Sequence, residues 1–151
     1  MPTLKQTLRD DLQTSMRARD ELRTATIRMV LTAVTNEEVA GDTARELSED
    51  ELLVVLRREA KKRREAATAF ADGGRPERAE REQAELAVVE AYLPRQLDDD
   101  ALAALVADAI AATGAAGPRA IGPVMKAVQV SVAGRADGGR VSAEVRRQLS
   151  G

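Results

Sequence analysis

The sequence predicts an all-α protein, and three observations carry that reading. Apolar residues recur at helical spacing in seven successive segments, and none of these segments alternates with period two. Glycine, proline or a capping residue separates each segment from the next. The hydrophobic fraction is 44% but the aromatic fraction only 1%, with one Phe (Phe70), one Tyr (Tyr92) and no Trp. A core built from Ala, Leu, Val, Ile and Met suits closely packed helices better than a β-sandwich or barrel. At 151 residues the chain has room for a helical body and a small second module.

Each helix follows from its own residues. Leu4, Leu8, Leu12 and Met16 stand at i, i+4 spacing and predict a first helix with a narrow apolar stripe. Asp20 is placed to cap a second, carrying Leu22, Ile27, Val30, Leu31 and Val34 and ending at Gly41. Ser48 and Glu51 form a capping box, in which hydroxyl and carboxylate reciprocally satisfy orphan amides. Behind it Leu52, Leu53, Leu56, Ala60, Ala67 and Phe70 trace a long third helix, stopped by Gly73-Gly74. Pro76 suits the first turn of a fourth, which buries Leu86, Val89 and Leu93 and ends at Pro94.

After Leu97 the texture changes. Asp98, Asp99 and Asp100 put negative charge at a helix N-terminus, where the macrodipole favours it. Leu102, Leu105, Val106, Ala109 and Ile110 make a short fifth helix, within an alanine-rich stretch from Ala101 to Ala116, closing at Gly114. A sixth runs from Pro118 to Val132, expected to be interrupted at Gly122-Pro123. The loop Gly134 to Gly139 leads to a last helix holding Val141, Val145 and Leu149. The expected organisation is a four-helix N-terminal body over residues 1–97 and a three-helix C-terminal domain over residues 98–151.

Composition narrows the chemistry. The absence of Cys and His removes disulfides, thiolate nucleophiles, Ser-His-Asp and Cys-His machinery, and nearly every zinc, copper or haem site. No catalytic residue, cofactor or metal site is expected. Glu37-Glu38 and the group Glu80, Glu82 and Glu85 read as charged helix faces, since no nucleophile or glycine loop lies near them. Residues 1–20 lack the apolar stretch of a signal peptide, and no apolar run approaches the about 20 residues of a membrane span. A cytoplasmic location with no membrane partner is the expectation.

The net charge of −2 hides an uneven distribution. From Gly114 onward six basic residues (Arg119, Lys126, Arg135, Arg140, Arg146, Arg147) face two acidic ones (Asp137, Glu144), which points this segment towards an anionic partner. The glycine loop between Arg135 and Arg140 could let its backbone approach a phosphate, or could simply be a helix–helix turn. The densest cluster, Arg57-Arg58 and Lys61 to Arg64 on the third helix, reads first as a solvated face interleaved with Glu59 and Glu65. A phosphate-binding ridge is its alternative. With so few aromatics there is no stacking platform for single strands, so any RNA would be met through shape and backbone.

The residues also carry a resemblance. Ile121-Gly122-Pro123-Val124-Met125-Lys126-Ala127, then Gly134-Arg135-Ala136-Asp137, then Val141 through Leu149, resembles the tail of the GatB subunit of glutaminyl/asparaginyl-tRNA amidotransferases. Leu56-Arg57-Arg58-Glu59, Lys62-Arg63-Arg64-Glu65, and Ala84-Glu85-Leu86 to Tyr92-Leu93-Pro94 with Gln96-Leu97 resemble the stand-alone YqeY proteins. The likeness covers essentially the whole chain. It departs from the tail pattern at Pro123 and at Gly138, where the amidotransferase tail tends to have proline.

The resemblance implies a helical bundle with a small C-terminal domain, and a tail of the kind that touches the outer corner of tRNA near the D-loop. The positions it carries over are Lys126 and the loop at Gly134-Arg135; Arg140, Arg146 and Arg147 are added on electrostatic grounds. The family's usual label is carbon–nitrogen ligase with glutamine as amido-N-donor. Its amidase and nucleotide-binding parts belong to other subunits and domains and have no counterpart here. The expected function is therefore tRNA, or other folded RNA, binding by an accessory protein. Membership of an amidotransferase-like complex with protein partners, and a purely protein–protein role of the long helices, are the alternatives.

Overall fold

The computed structural model describes residues 1–114 and 116–150; Ala115 of the alanine-rich stretch and Gly151 at the end of the expected C-terminal domain lie outside the described residues. Seven α-helices and one short 3-10 turn make up the regular structure of the described residues, with no strand among them. The chain divides into two compact units, Met1–Leu93 and Pro94–Gly151.

The first unit holds α1 (Leu4–Arg17), α2 (Glu21–Glu38), α3 (Glu49–Asp72) and α4 (Pro76–Glu90). Local chemistry sets most of their ends. Asp20 accepts the amide of Arg23 at 3.0 Å and caps α2. Ser48 and Glu51 form the expected box at α3, Pro76 opens α4, and Gly73 ends α3. A further box joins Thr3 and Gln6 at α1. Two ends differ from expectation. Helix α2 stops at Glu38, short of Gly41, because tertiary contacts turn the chain: the Glu38 carbonyl accepts the Arg45 amide at 3.0 Å, and its carboxylate holds Lys5 at 2.9 Å. Helix α4 stops at Glu90, before Pro94, in a tight turn where the Tyr92 and Leu93 amides reach back to Val89 and Glu90.

Leu8, Ile27, Val30, Val34, Leu52, Leu56 and Val89 are buried at the centre of this unit. Three charged side chains are buried with them: Glu59, Arg63 and Glu85. The Arg63 guanidinium pairs with Glu59 at 3.2 Å along α3 and faces Glu85 of α4 at 3.9 Å. It also approaches the sulfur of Met29 on α2 at 3.4 Å. The outer carboxylate oxygens are held by Lys62 (3.1 Å to Glu59) and Arg81 (3.3 Å to Glu85), so the buried charges form a compensated chain. Burial, and then the neighbouring Glu85, push the carboxyl of Glu82 up.

Tyr92, just after α4, ties the chain back to α1 and α2. Its hydroxyl donates to Asp11 and accepts from Arg23 at 3.3 Å. Burial, then the Asp11 carboxylate, push the phenol up to about 12.

The second unit is a three-helix module. Asp98 accepts the Ala101 amide at 2.7 Å and caps α5 (Asp99–Thr113), which ends in a left-handed Gly114 with φ 64°. A 3-10 turn (Pro118–Ala120) leads into α6 (Ile121–Val132), and α7 (Gly138–Ser150) completes the module. Val106, Val124, Val128, Val132, Val141 and Val145 are fully buried between the helices. The expected interruption at Gly122-Pro123 is absent. Pro123 falls at the third residue of α6, where a backbone N–H has no intrahelical acceptor to lose, so the ring is tolerated.

Replacing Arg63 leaves two buried carboxylates facing each other without their shared cation. Arg63→Ala should lower unfolding free energy in urea by about 3 kcal/mol, at the lower end for a broken buried pair because Lys62 and Arg81 remain. As the single tyrosine, Tyr92 can be titrated by its phenolate absorbance. The midpoint should lie near 12 and fall in Asp11→Asn. A phenol whose folded pKa is raised contributes stability below its ordinary pKa of about 10, lost as pH rises through 12.

Candidate nucleic-acid interface

The basic positions of the second unit divide into two groups by what their side chains touch. Arg135 and Arg140 face inward, onto the protein's own backbone. After α6 the chain turns through two left-handed residues, Ala133 at φ 48° and Gly134 at φ 79°. Arg135 then folds back: its Nε donates to the Val132 carbonyl at 3.1 Å and its terminal nitrogen to Ser131 at 3.0 Å. It thereby satisfies carbonyls that a helix end leaves without partners.

Arg140 does similar work at the start of α7. Its amide donates to the Asp137 carboxylate at 2.9 Å, the bond of an N-cap. Its guanidinium donates to the Leu97 carbonyl at 2.9 Å and to Asp99 at 3.0 Å. The Leu97 amide donates in turn to the Arg135 carbonyl at 2.7 Å. Leu97 is therefore held by both of its backbone groups, and the segment entering α5 is fastened to the glycine loop. Sequence spacing gives no hint of this contact, because its partners lie about 40 residues apart.

Lys126, Arg146 and Arg147 form the second group, and all three are exposed. Arg147 pairs with Glu144 through two guanidinium nitrogens, with Nε at 2.9 Å. This bond, reinforced by Gln148, holds the Glu144 carboxyl down at about 2. Neither Lys126 nor Arg146 has an ion pair or a side-chain hydrogen bond among the described residues. Arg119, in the 3-10 turn, is equally exposed and unpaired. These cations are available to an anion without breaking an internal bond. Between α5 and α7, by contrast, a cleft of about 450 Å³ is lined by both signs of charge, Asp99, Asp100 and Glu144 with Arg140 and Arg147.

Residues 5–149 match the family model described as YqeY-like protein. The chain belongs to this family. No individual curated protein matches it. The YqeY-like match spans both units, so the basic ridge on α3 falls within it as much as the glycine loop does. That ridge is largely compensated: Arg58 pairs with Glu37 at 3.4 Å, Lys61 with Glu65 at 3.9 Å and Lys62 with Glu59. Arg63 leaves the surface altogether.

Among the acidic positions, Glu37, Glu38 and Glu85 are likewise occupied. Glu38 holds Lys5 and the Leu47 amide, and Lys5 keeps its carboxyl below the usual range. Glu85, expected on a charged face, is buried against Arg63. Among the described residues no group of three or more His, Cys, Asp or Glu is placed to hold a metal ion. No single helix among them is long and apolar enough to cross a membrane.

The Glu144–Arg147 pair gives this surface a measurable titration. Glu144 should titrate near 2 by carboxyl carbon chemical shift, and return towards 4.5 in Arg147→Ala. A depressed carboxyl pKa contributes stability above 4.5 that is lost as pH falls through about 2. The acid limb of the unfolding curve should therefore soften in that window for the wild type and not for the variant.

Proposed function

We propose that this YqeY-like chain is an RNA-binding accessory protein whose C-terminal unit grips the backbone of folded tRNA. The exposed cations Lys126 and Arg146, free of internal partners, carry the reading. Lys126 is also a position at which the sequence resembles the GatB tail, a domain of the kind that meets tRNA. Arg147, whose side chain is exposed, joins them by turning from Glu144 to a phosphate, Glu144 keeping the hydrogen bond from Gln148. Arg135 and Arg140 contribute by fixing the loop and the start of α7 rather than by direct contact. The proposed role is binding, and no catalytic step is assigned to the chain.

Phosphate contact releases counterions, so affinity should fall with salt in proportion to the contacts made. Three contacts predict a slope of log affinity against log salt of roughly −2 to −3, at about 0.7–0.9 per contact. In filter binding with folded tRNA, the double variant Lys126→Ala with Arg146→Ala should flatten that slope by about 1.5 units. Unchanged affinity and slope would overturn the assignment of this surface.

A further inference from the structure

Beside the free cations lies an apolar groove of about 370 Å³, between the 3-10 turn with the start of α6 and the end of α7. Pro118, Ile121 and Leu149 line it, Arg146 and Arg147 border it, and no carboxylate is among its lining residues. Arg119 follows Pro118 directly in the chain and is exposed. Its volume lies at the lower end of the roughly 300–1,000 Å³ of small-ligand clefts. An apolar floor bordered by cations is complementary to a ligand with a flat apolar body and a negative charge close to it.

We infer that this groove receives one unstacked nucleotide of the bound RNA. The base lies against Ile121 and Leu149, and its phosphate meets Arg146. The inference rests on the RNA-binding reading and adds to it a preference for RNA with an unpaired base. Charge complementarity favours this occupant over an uncharged apolar peptide, which would leave the Arg146 guanidinium unanswered. No aromatic side chain lines the groove, so no ring of its own is offered for stacking. An apolar wall and an arginine plane are the surfaces that remain for a base. The polar edge of the base stays at the open mouth of the groove, in water.

The test compares a stem-loop RNA carrying 2-aminopurine in its loop with a blunt duplex of equal length. Wild-type protein should bind the stem-loop about tenfold more tightly, the gain from burying about 55 Å² of apolar surface in the groove, and change the 2-aminopurine fluorescence. Two groove-filling variants, Ser150→Leu and Ala143→Leu, should each lose the preference and the fluorescence change while keeping helicity and the salt slope. Ala143 also borders the charged cleft, whereas Ser150 lines only this groove among the two, so agreement between the variants isolates it. Equal affinity for the two RNAs, or a preference that survives both substitutions, overturns the inference and leaves backbone binding standing. Failure of the wild type to bind either RNA overturns the RNA-binding reading itself.

Discussion

The set of fully buried side chains contains no aromatic ring, and that constraint shapes both units. Cores of Leu, Ile, Val and Ala fill space in small increments, so the helices must approach closely and their ends must fall where caps permit. On α3 the stripe of large residues runs out after Leu56, and the next core positions are Ala60 and Ala67. Arg63 sits between them on the same stripe. Its alkyl stem supplies the bulk that an aromatic side chain would otherwise provide. Its charge then requires Glu59 and Glu85 to be buried with it. A shortage of large apolar side chains thus leads to an ionic centre. Such a centre is weak evidence for added stability, because desolvating the charges offsets much of their attraction.

The second unit answers the same shortage differently. Its buried set is dominated by valine, with three short helices around it. Much of its definition comes from backbone groups held at helix ends: Asp98 and Asp137 at N-termini, Arg135 over the last carbonyls of α6, and Arg140 on Leu97. A basic loop beside glycines invites a phosphate-binding reading. Here its two arginines complete the backbone hydrogen bonding of the fold, and the outward cations lie on the helices themselves.

What was legible in the sequence was local. The Ser48–Glu51 box, the Asp20 cap, the acidic start of α5 at Asp98 to Asp100, the stop at Gly73 and the close of α5 at Gly114 each involve residues within a few positions of one another, so spacing alone identifies them. The all-helical class followed from the same periodicity. Contacts between distant segments were not legible. The end of α2 is set by Glu38 reaching Lys5 and Leu47, and Pro94 did not set the end of α4. Arg63 did leave a trace, since it falls on the stripe through Leu52, Leu56, Ala60 and Ala67. A charged residue at a core position is the signal that finds such a site. The Lys-Arg cluster around it masked that signal as surface. For the candidate interface, composition located the basic segment, but only side-chain geometry separated Arg135 and Arg140 from Lys126 and Arg146.

The placement of the two aromatic residues has an optical consequence. Phe70 and Tyr92 both lie in the first unit, and the chain has no tryptophan. Near-ultraviolet dichroism and intrinsic fluorescence therefore report on α1 to α4 alone, while amide dichroism reports on all seven helices. The second unit is silent to the first kind of probe. Melting curves from the two spectral regions coincide only if both units lose structure together, so their separation is a direct, label-free measure of how far the small module unfolds on its own.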